Sequence, residues 1–472
     1  MNIISINNSV VRLHFKAILN VINSINFQNL LMHEVSLETY SLKEISKLLE
    51  RGVHIPDLNL VHITRDVQLD NIVSGCTIYP FARITGMRTK IYSGARIGLR
   101  GPVVLENSLI GKNAIIGNLG PVTLIDTVVG PKSILGAGVA EKAVFLGKET
   151  MVNDFTTGYG FRVRKGSLYE EDASSAQHTD TKMTILFPWA TLGSDINFCD
   201  VLMAGGTGPE LGSFSEVGSG TIHFNYSIRG DKATASLFGD VFNGVFLDQE
   251  RLFIGGNNSL LGPVNADFGA MTAAGARIKG QLPKGLNYGH SLPKVAADYD
   301  TRIFLGVSVI VKNQVNFLAE LTSLANWYKQ VRINCIAQDQ EQKFLYESGL
   351  QMIELNYKER FNQLNRYVDY LENSVRVLES IKVSKKEVLE QKKLLIQWPK
   401  LVSKFKNLVK YEIEIPESLK QEFENLQSKG ESVYTGKIKN LSQNGQKSGK
   451  AWMSEIVRTV RNIYKVGMNG SR

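Results

Sequence analysis

The sequence predicts a mainly β protein: a parallel β-helix of hexapeptide repeats, preceded by a short helical segment and followed by an α-helical, coiled-coil region. Three observations carry this. Branched aliphatics return every six or seven positions, at Ile72, Ile78, Ile84, Ile91, Ile97, Val104, Ile110 and Ile116. Glycine follows the aliphatic directly at Ile97-Gly98, Ile110-Gly111, Ile116-Gly117, Val129-Gly130, Leu135-Gly136 and again at Ile254-Gly255. From about residue 315 glycine nearly vanishes, and Leu, Lys, Glu, Gln and Asn take over.

The period is the physical argument. Six residues make one short strand and its corner, and three such units close one coil. The aliphatic points inward and stacks on its equivalent in the next coil, because no single coil can bury its own face. The residue after it turns a corner, where a missing Cβ helps. A β-sandwich would space its strands by roughly 8–12 residues, which a sustained period of six or seven excludes.

In chain order, residues 1–52 read as helical. Leu13, Ile18, Val21 and Ile22 keep rough helical spacing, as do Leu42, Ile45, Leu48 and Leu49. Ser41 with Glu44 forms a capping box, and Gly52 stands where a left-handed turn ends a helix. The β-helix occupies 53–310, with an insertion at about 155–182 that lacks the six-residue phrase and reads as a polar excursion from the coil wall. Residues 311–425 are helical. There Phe361, Leu364, Val368, Leu371, Val375 and Leu378 step by three and four, a heptad seam, and Trp398-Pro399 reads as a helix break. Residues 426–472 read as a Ser/Gly/Asn/Lys-rich linker and a terminal helix.

The chain has 472 residues and a net charge of +9. Residues 311–472 hold 27 Lys and Arg against 18 Asp and Glu, so the whole excess belongs to the helical part. Such an excess can attract a nucleic acid, an anionic membrane surface or an acidic protein; a protein or membrane-surface contact and no specific nucleic acid is the expectation, and a solvated helical face is the weightier reading than any of them. Cys76, Cys199 and Cys335 are far apart, with no CxxC pair, against a disulfide framework or a zinc site. No run of about 18 apolar residues exists and no secretion signal is visible, so a cytoplasmic protein is the expectation.

One segment is more specific than the repeat: Val217-Gly218-Ser219-Gly220-Thr221-Ile222-His223-Phe224-Asn225-Tyr226, followed by Phe238-Gly239-Asp240-Val241-Phe242-Asn243-Gly244. With Gly269-Ala270-Met271-Thr272-Ala273-Ala274-Gly275, it resembles the acetyltransferase half of the bifunctional N-acetylglucosamine-1-phosphate uridyltransferase/glucosamine-1-phosphate acetyltransferase family, over roughly residues 50–295. The resemblance implies a left-handed β-helix, a homotrimer with ligand clefts between subunits, acetyl-CoA as co-substrate with no tightly bound cofactor or metal, and an amino sugar phosphate or nucleotide-sugar ligand. It places Asn225 and Tyr226 in the cleft and Ala273 and Ala274 where backbone amides meet the donor. Arg229 and Lys232, on the following turn, could meet a phosphate.

Acetyl transfer needs a base to take a proton from the amine and amide groups to hold the oxyanion. The family's histidine position is Leu202 here, which cannot accept a proton. His223 is the replacement candidate, because two positions apart on a strand places it on the same side as Asn225. His178 and Asp200 are further candidates. The uridyltransferase half has no counterpart, so that activity is not expected. Two readings follow: an acetyltransferase-like protein binding a CoA or sugar phosphate ligand, and a non-catalytic trimeric scaffold with a basic helical tail.

Overall fold

The structure, a computed structural model, describes residues 38–150, 155–290, 300–381 and 385–469. The expected helix over residues 13–22 lies outside them. The helices are α1 (Leu42–Glu50), α2 (Val241–Gly244), α3 (Val307–Asn326), α4 (Gln340–Asp369), α5 (Leu371–Ser380), α6 (Lys385–Phe405), α7 (Glu417–Ser428), α8 (Tyr434–Lys439) and α9 (Gln443–Asn469). A π-helical segment, Trp327–Ile336, joins α3 to α4.

Between α1 and α3 the chain is a parallel β-solenoid of about twelve coils. Ile78, Ile97, Ile116 and Leu135 stack in register 19 residues apart. A second column holds Ile84, Leu105, Leu124 and Ala140. The third holds Ile91, Ile110, Val129 and Phe145. All are fully buried, and the Val, Leu, Ile and Phe side chains among them each contribute about 1.5–3 kcal/mol relative to exposure. One expected member is displaced: Val103 and Leu105 point inward, and Val104 points out. The loop after Gly98 is two residues longer than in the preceding coil, so the inward position falls eight residues after Ile97 where Ile84 falls six after Ile78.

The corner glycines serve two ends. Gly98 (φ +85°) and Gly117 (φ +79°) need the left-handed backbone. Gly130 instead needs close approach, since a Cβ there would lie 2.2 Å from the Leu146 carbonyl of the next coil. Helix α1 closes the first coil with Ile45 and Leu48, as a solenoid end requires. Its capping box is present, and Gly52 follows it at φ +85°.

Residues 155–182 are not an excursion. They carry strands Thr157–Val163, Leu168–Tyr169, Ser174–Ser175 and the start of Asp180–Leu186, in register with their neighbours. The phrase disappears because the inward positions are Thr157, Ser175, Thr181 and Tyr169, all buried. The Tyr169 hydroxyl lies 3.3 Å from Thr181 Oγ1, so polar columns replace aliphatic ones. The long departures come later: Val217 to Ile254 spans 37 residues between stacked positions.

The helical region packs on one face of the solenoid. The outward row beside the third column runs Lys90, Leu109, Val128, Val144, Leu168, Ile185, Leu202, Leu237, Asn265, Gln281. Its aliphatic middle is buried in one hydrophobic core with the helices. The heptad seam of α4 and α5 joins this core through Phe361, Leu364, Val368 and Leu371, so the chain itself fills the seam. In α6 the apolar Leu394, Trp398, Leu401 and Phe405 are buried while Lys392, Lys393, Lys400 and Lys404 are exposed. Pro399 lies within α6 and does not end it. Residues 426–450, read as a linker, contain the end of α7, all of α8 and the first turns of α9; Tyr434 and Ile438 are buried there. A short polar helix pinned by two side chains has too few apolar residues to show periodicity.

Candidate functional site

His223 occupies the second inward column, between Phe198 and Leu260. It is buried, with Nδ1 2.6 Å from the Cys199 carbonyl and Nε2 2.7 Å from Ser236 Oγ. Burial pushes its pKa down to about 4, against a smaller opposing pull from Asp200. The expected sharing of a side with Asn225 does not hold, because the strand ends at Phe224 and alternation stops there. The ring is a hydrogen-bonded interior residue, and no open surface reaches it as a base would need.

Leu202 is equally enclosed. It sits in the outward row between Ile185 and Leu237, fully buried beneath the helical layer. His178 stands on an exposed corner, 3.2 Å from Asp195 Oδ1. Ala273 donates its amide to the Asn287 carbonyl at 2.9 Å, so this N–H is used in the ladder between coils. Ala274 is exposed.

The structure does bring Asn225 and Lys232 to one place. Asp200, at φ +63°, turns its buried carboxylate outward. It accepts from Asn225 Nδ2 at 2.7 Å and from Arg360 Nη2 of α4 at 2.9 Å. Arg360 Nη1 also donates to the Lys232 carbonyl at 3.1 Å. The loop 225–232 is thereby clamped to α4. Tyr226 stays largely exposed on this loop, and Arg229 donates to the Ile303 carbonyl at 2.6 Å with its guanidinium over the Phe304 ring.

Between loop and helix lies a notch of about 100 Å³, lined by Asp231, Lys232, Gln363, Arg366, Tyr367 and Tyr370. Two cations face one carboxylate, and Asp231 is already engaged by the Ser227 hydroxyl. The Tyr367 hydroxyl is buried with no hydrogen-bond partner among the described residues, and burial raises its pKa above the ordinary phenol value. An unpaired buried hydroxyl on a residue that lines the notch is costly unless a ligand atom meets it. Sequence reasoning missed Arg360, Gln363, Arg366 and Tyr367. Their spacing of three and four marks a polar stripe beside the α4 seam, which was the available signal. Among the described residues no three His, Cys, Asp or Glu side chains converge as a metal site.

No family model matches the chain. A curated relative does. The chain is similar to the bifunctional protein GlmU. The GlmU of Fervidobacterium nodosum is 30% identical over 250 residues, covering 52% of this chain and 44% of the relative. The chain thus spans less than half the length of that GlmU. Likeness to GlmU and the parallel solenoid agree with the resemblance read from residues 217–275. About half of this chain lies outside the match. Among the described residues no helix is long and apolar enough to cross a membrane.

Proposed function

We propose that the chain binds a sugar phosphate or nucleotide sugar, the ligand class of the UDP-N-acetylglucosamine biosynthesis family that its coils resemble, and does not transfer an acetyl group. The observation that carries this is the placement of Leu202 and His223, the family's base position and its replacement candidate. The family position is Leu202, sealed under helices, and His223 is a satisfied interior residue. The notch supports the ligand class, because its two cations, Lys232 and Arg366, outnumber its one carboxylate, Asp231, which the Ser227 hydroxyl already engages. Acetyl-CoA is then a ligand at most.

Calorimetry with glucosamine-1-phosphate tests the notch. Charge-assisted hydrogen bonds contribute about 1.5–3 kcal/mol, so Lys232→Ala and Arg366→Ala should each weaken binding by roughly 10–100-fold. Binding unchanged in both variants removes the notch. Thiol release from acetyl-CoA in the presence of the sugar phosphate should not exceed the blank, and turnover comparable to an acetyltransferase would overturn the reading.

Assembly through the open solenoid faces into a homotrimer is part of the same proposal. The outward residues of the first two columns, such as Arg83, Arg96 and Val139, are not covered by the helices. Light scattering should give three times the 52.4 kDa chain mass; a single-chain mass at micromolar concentration would remove the trimer. The scaffold reading becomes the better one if no sugar phosphate, nucleotide sugar or CoA ligand shifts the melting temperature.

A further inference from the structure

The outward row that the helices seal changes character at its end. After Leu237 it continues as Asn265 and Gln281. There the helical layer stands away from the solenoid and leaves a cavity of about 550 Å³, within the range of about 300–1,000 Å³ that small-molecule sites occupy. Its walls come from three places: the coil end at Asn265–Phe268, the short helix α2 with the residue before it, and the facing sides of α3 and α9.

The lining has two kinds of group. Phe242 and Phe268 supply aromatic surface, with Phe268 half-buried against the solenoid core. Polar groups supply the rest. The side-chain amides of Asn265, on the coil, and Asn313, on α3, line the cavity, and neither makes a hydrogen bond to any described residue. Each therefore holds an unused donor and an unused acceptor. The charged groups are already committed. Arg461 donates from Nε to Asn316 Oδ1 at 2.6 Å and from Nη2 to Glu320 Oε1 at 3.3 Å. Glu320 Oε2 also accepts the Val241 amide at 3.0 Å. Asp240 caps α2 through Asn243, and Asp267 accepts from Gln281 at 2.8 Å. The one guanidinium is spent on Asn316 and Glu320, and Asp240 and Asp267 bring carboxyl groups of their own, which disfavours a phosphate.

We infer that this cavity binds an unphosphorylated pyranose sugar. A sugar hydroxyl is both donor and acceptor, so a ring of them meets amides and carboxylates in either sense. The C–H face of a pyranose is the positive edge that an aromatic face attracts. Free amides on two opposing walls set the ring between coil and helix. This site is independent of the phosphate notch, since it shares no residue with it.

The test is calorimetry on the full chain with glucose and with N-acetylglucosamine, alongside glucose-1-phosphate, in a Lys232→Ala background that disables the notch. At least one neutral sugar should bind with a dissociation constant of about 1 mM or below. Glucose-1-phosphate should bind that background at least about tenfold more weakly. Asn313→Ala and Asn265→Ala, both only half-buried and so compatible with folding, should each weaken the neutral sugar by about three- to tenfold. Circular dichroism and melting confirm that they fold. Absence of neutral-sugar binding overturns the inference, as does binding indifferent to both amide variants or equal for the phosphorylated sugar. Failure of the notch leaves this result untouched, because the background already lacks it.

Discussion

Arg332→Met is expected to destabilise the docking of the helical layer by about 3–5 kcal/mol, the range for removing one partner of a buried ion pair. Arg332 projects from the π-helical segment and is fully buried. Nη1 donates to Glu171 Oε1 at 2.6 Å, and Nη2 donates to Glu170 Oε2 and Glu171 Oε2, each at 3.0 Å. Its guanidinium lies 3.5 Å from the Tyr434 ring centroid, with Tyr328 and Tyr346 on other sides. The Tyr328 hydroxyl donates to Glu170 Oε1 at 2.5 Å. Burial opposes the arginine's charge, but Glu170 and Glu171 outweigh it and hold its pKa well above the ordinary value. With methionine there, two adjacent carboxylates would be buried together with no cation between them. Urea unfolding followed by tryptophan fluorescence reads the effect through Trp327, which packs on Phe246, Phe423 and Trp452 of the same core. Adding Glu170→Gln and Glu171→Gln to Arg332→Met should recover most of the loss, because replacing a whole buried ionic group is often near neutral. A single-variant loss under about 1 kcal/mol would show that the cluster does not hold the layers together.

The second large effect is on pH. Burial, with Asp240 nearby, raises the Glu320 carboxyl from its ordinary value of 4.5 to about 8, against opposing bonds from Val241 and Arg461. Burial, with Glu171 nearby, raises Glu149 to about 7, against hydrogen bonds from Thr435 and Tyr434. The folded protein therefore keeps protons that the unfolded chain has released, and stability falls as pH rises through this range. His223 acts in the opposite sense: held down at about 4, its effect is complete near 6.5, its ordinary value. Glu44 and Asp300, held at about 2, titrate lower still. The window from pH 6.5 to 8 is therefore governed by the raised carboxyls. Each pKa unit corresponds to about 1.4 kcal/mol, so stability should drop by roughly 2–3 kcal/mol across it. Glu320→Gln should flatten the slope by about 1.4 kcal/mol per pH unit. Stability that rises over this window, or an unchanged slope in the variant, would refute the assignment.

Much of the solenoid was legible because its signal is local. Ile78, Ile97 and Ile116 repeat at a spacing that only stacked coils satisfy. The capping box at Ser41 and Glu44 was legible for the same reason. The coils over 155–182 were hidden because Thr157, Tyr169, Ser175 and Thr181 fill inward positions with polar side chains, which break the aliphatic period although all four are buried. The covered face did leave a trace. Leu109-Ile110, Val128-Val129, Ile185-Leu186, Leu202-Met203 and Leu237-Phe238 are apolar doublets, and a strand apolar at successive positions is buried on both sides. The period directed attention to the inward member of each pair alone.

By itself the sequence determined the stacked coils, the helical character of the C-terminal third and the seam along α4, since a period of six and a step of three and four each admit one regular backbone. The tertiary structure decided where every candidate side chain went. It turned His223 into the coil, covered Leu202 with helices, and brought Lys232 to Arg366 across 134 residues of chain. The reason is parity: one extra residue in a loop reverses which side of the next strand faces in, and the packing of a distant helix, not the local phrase, selects among those loops.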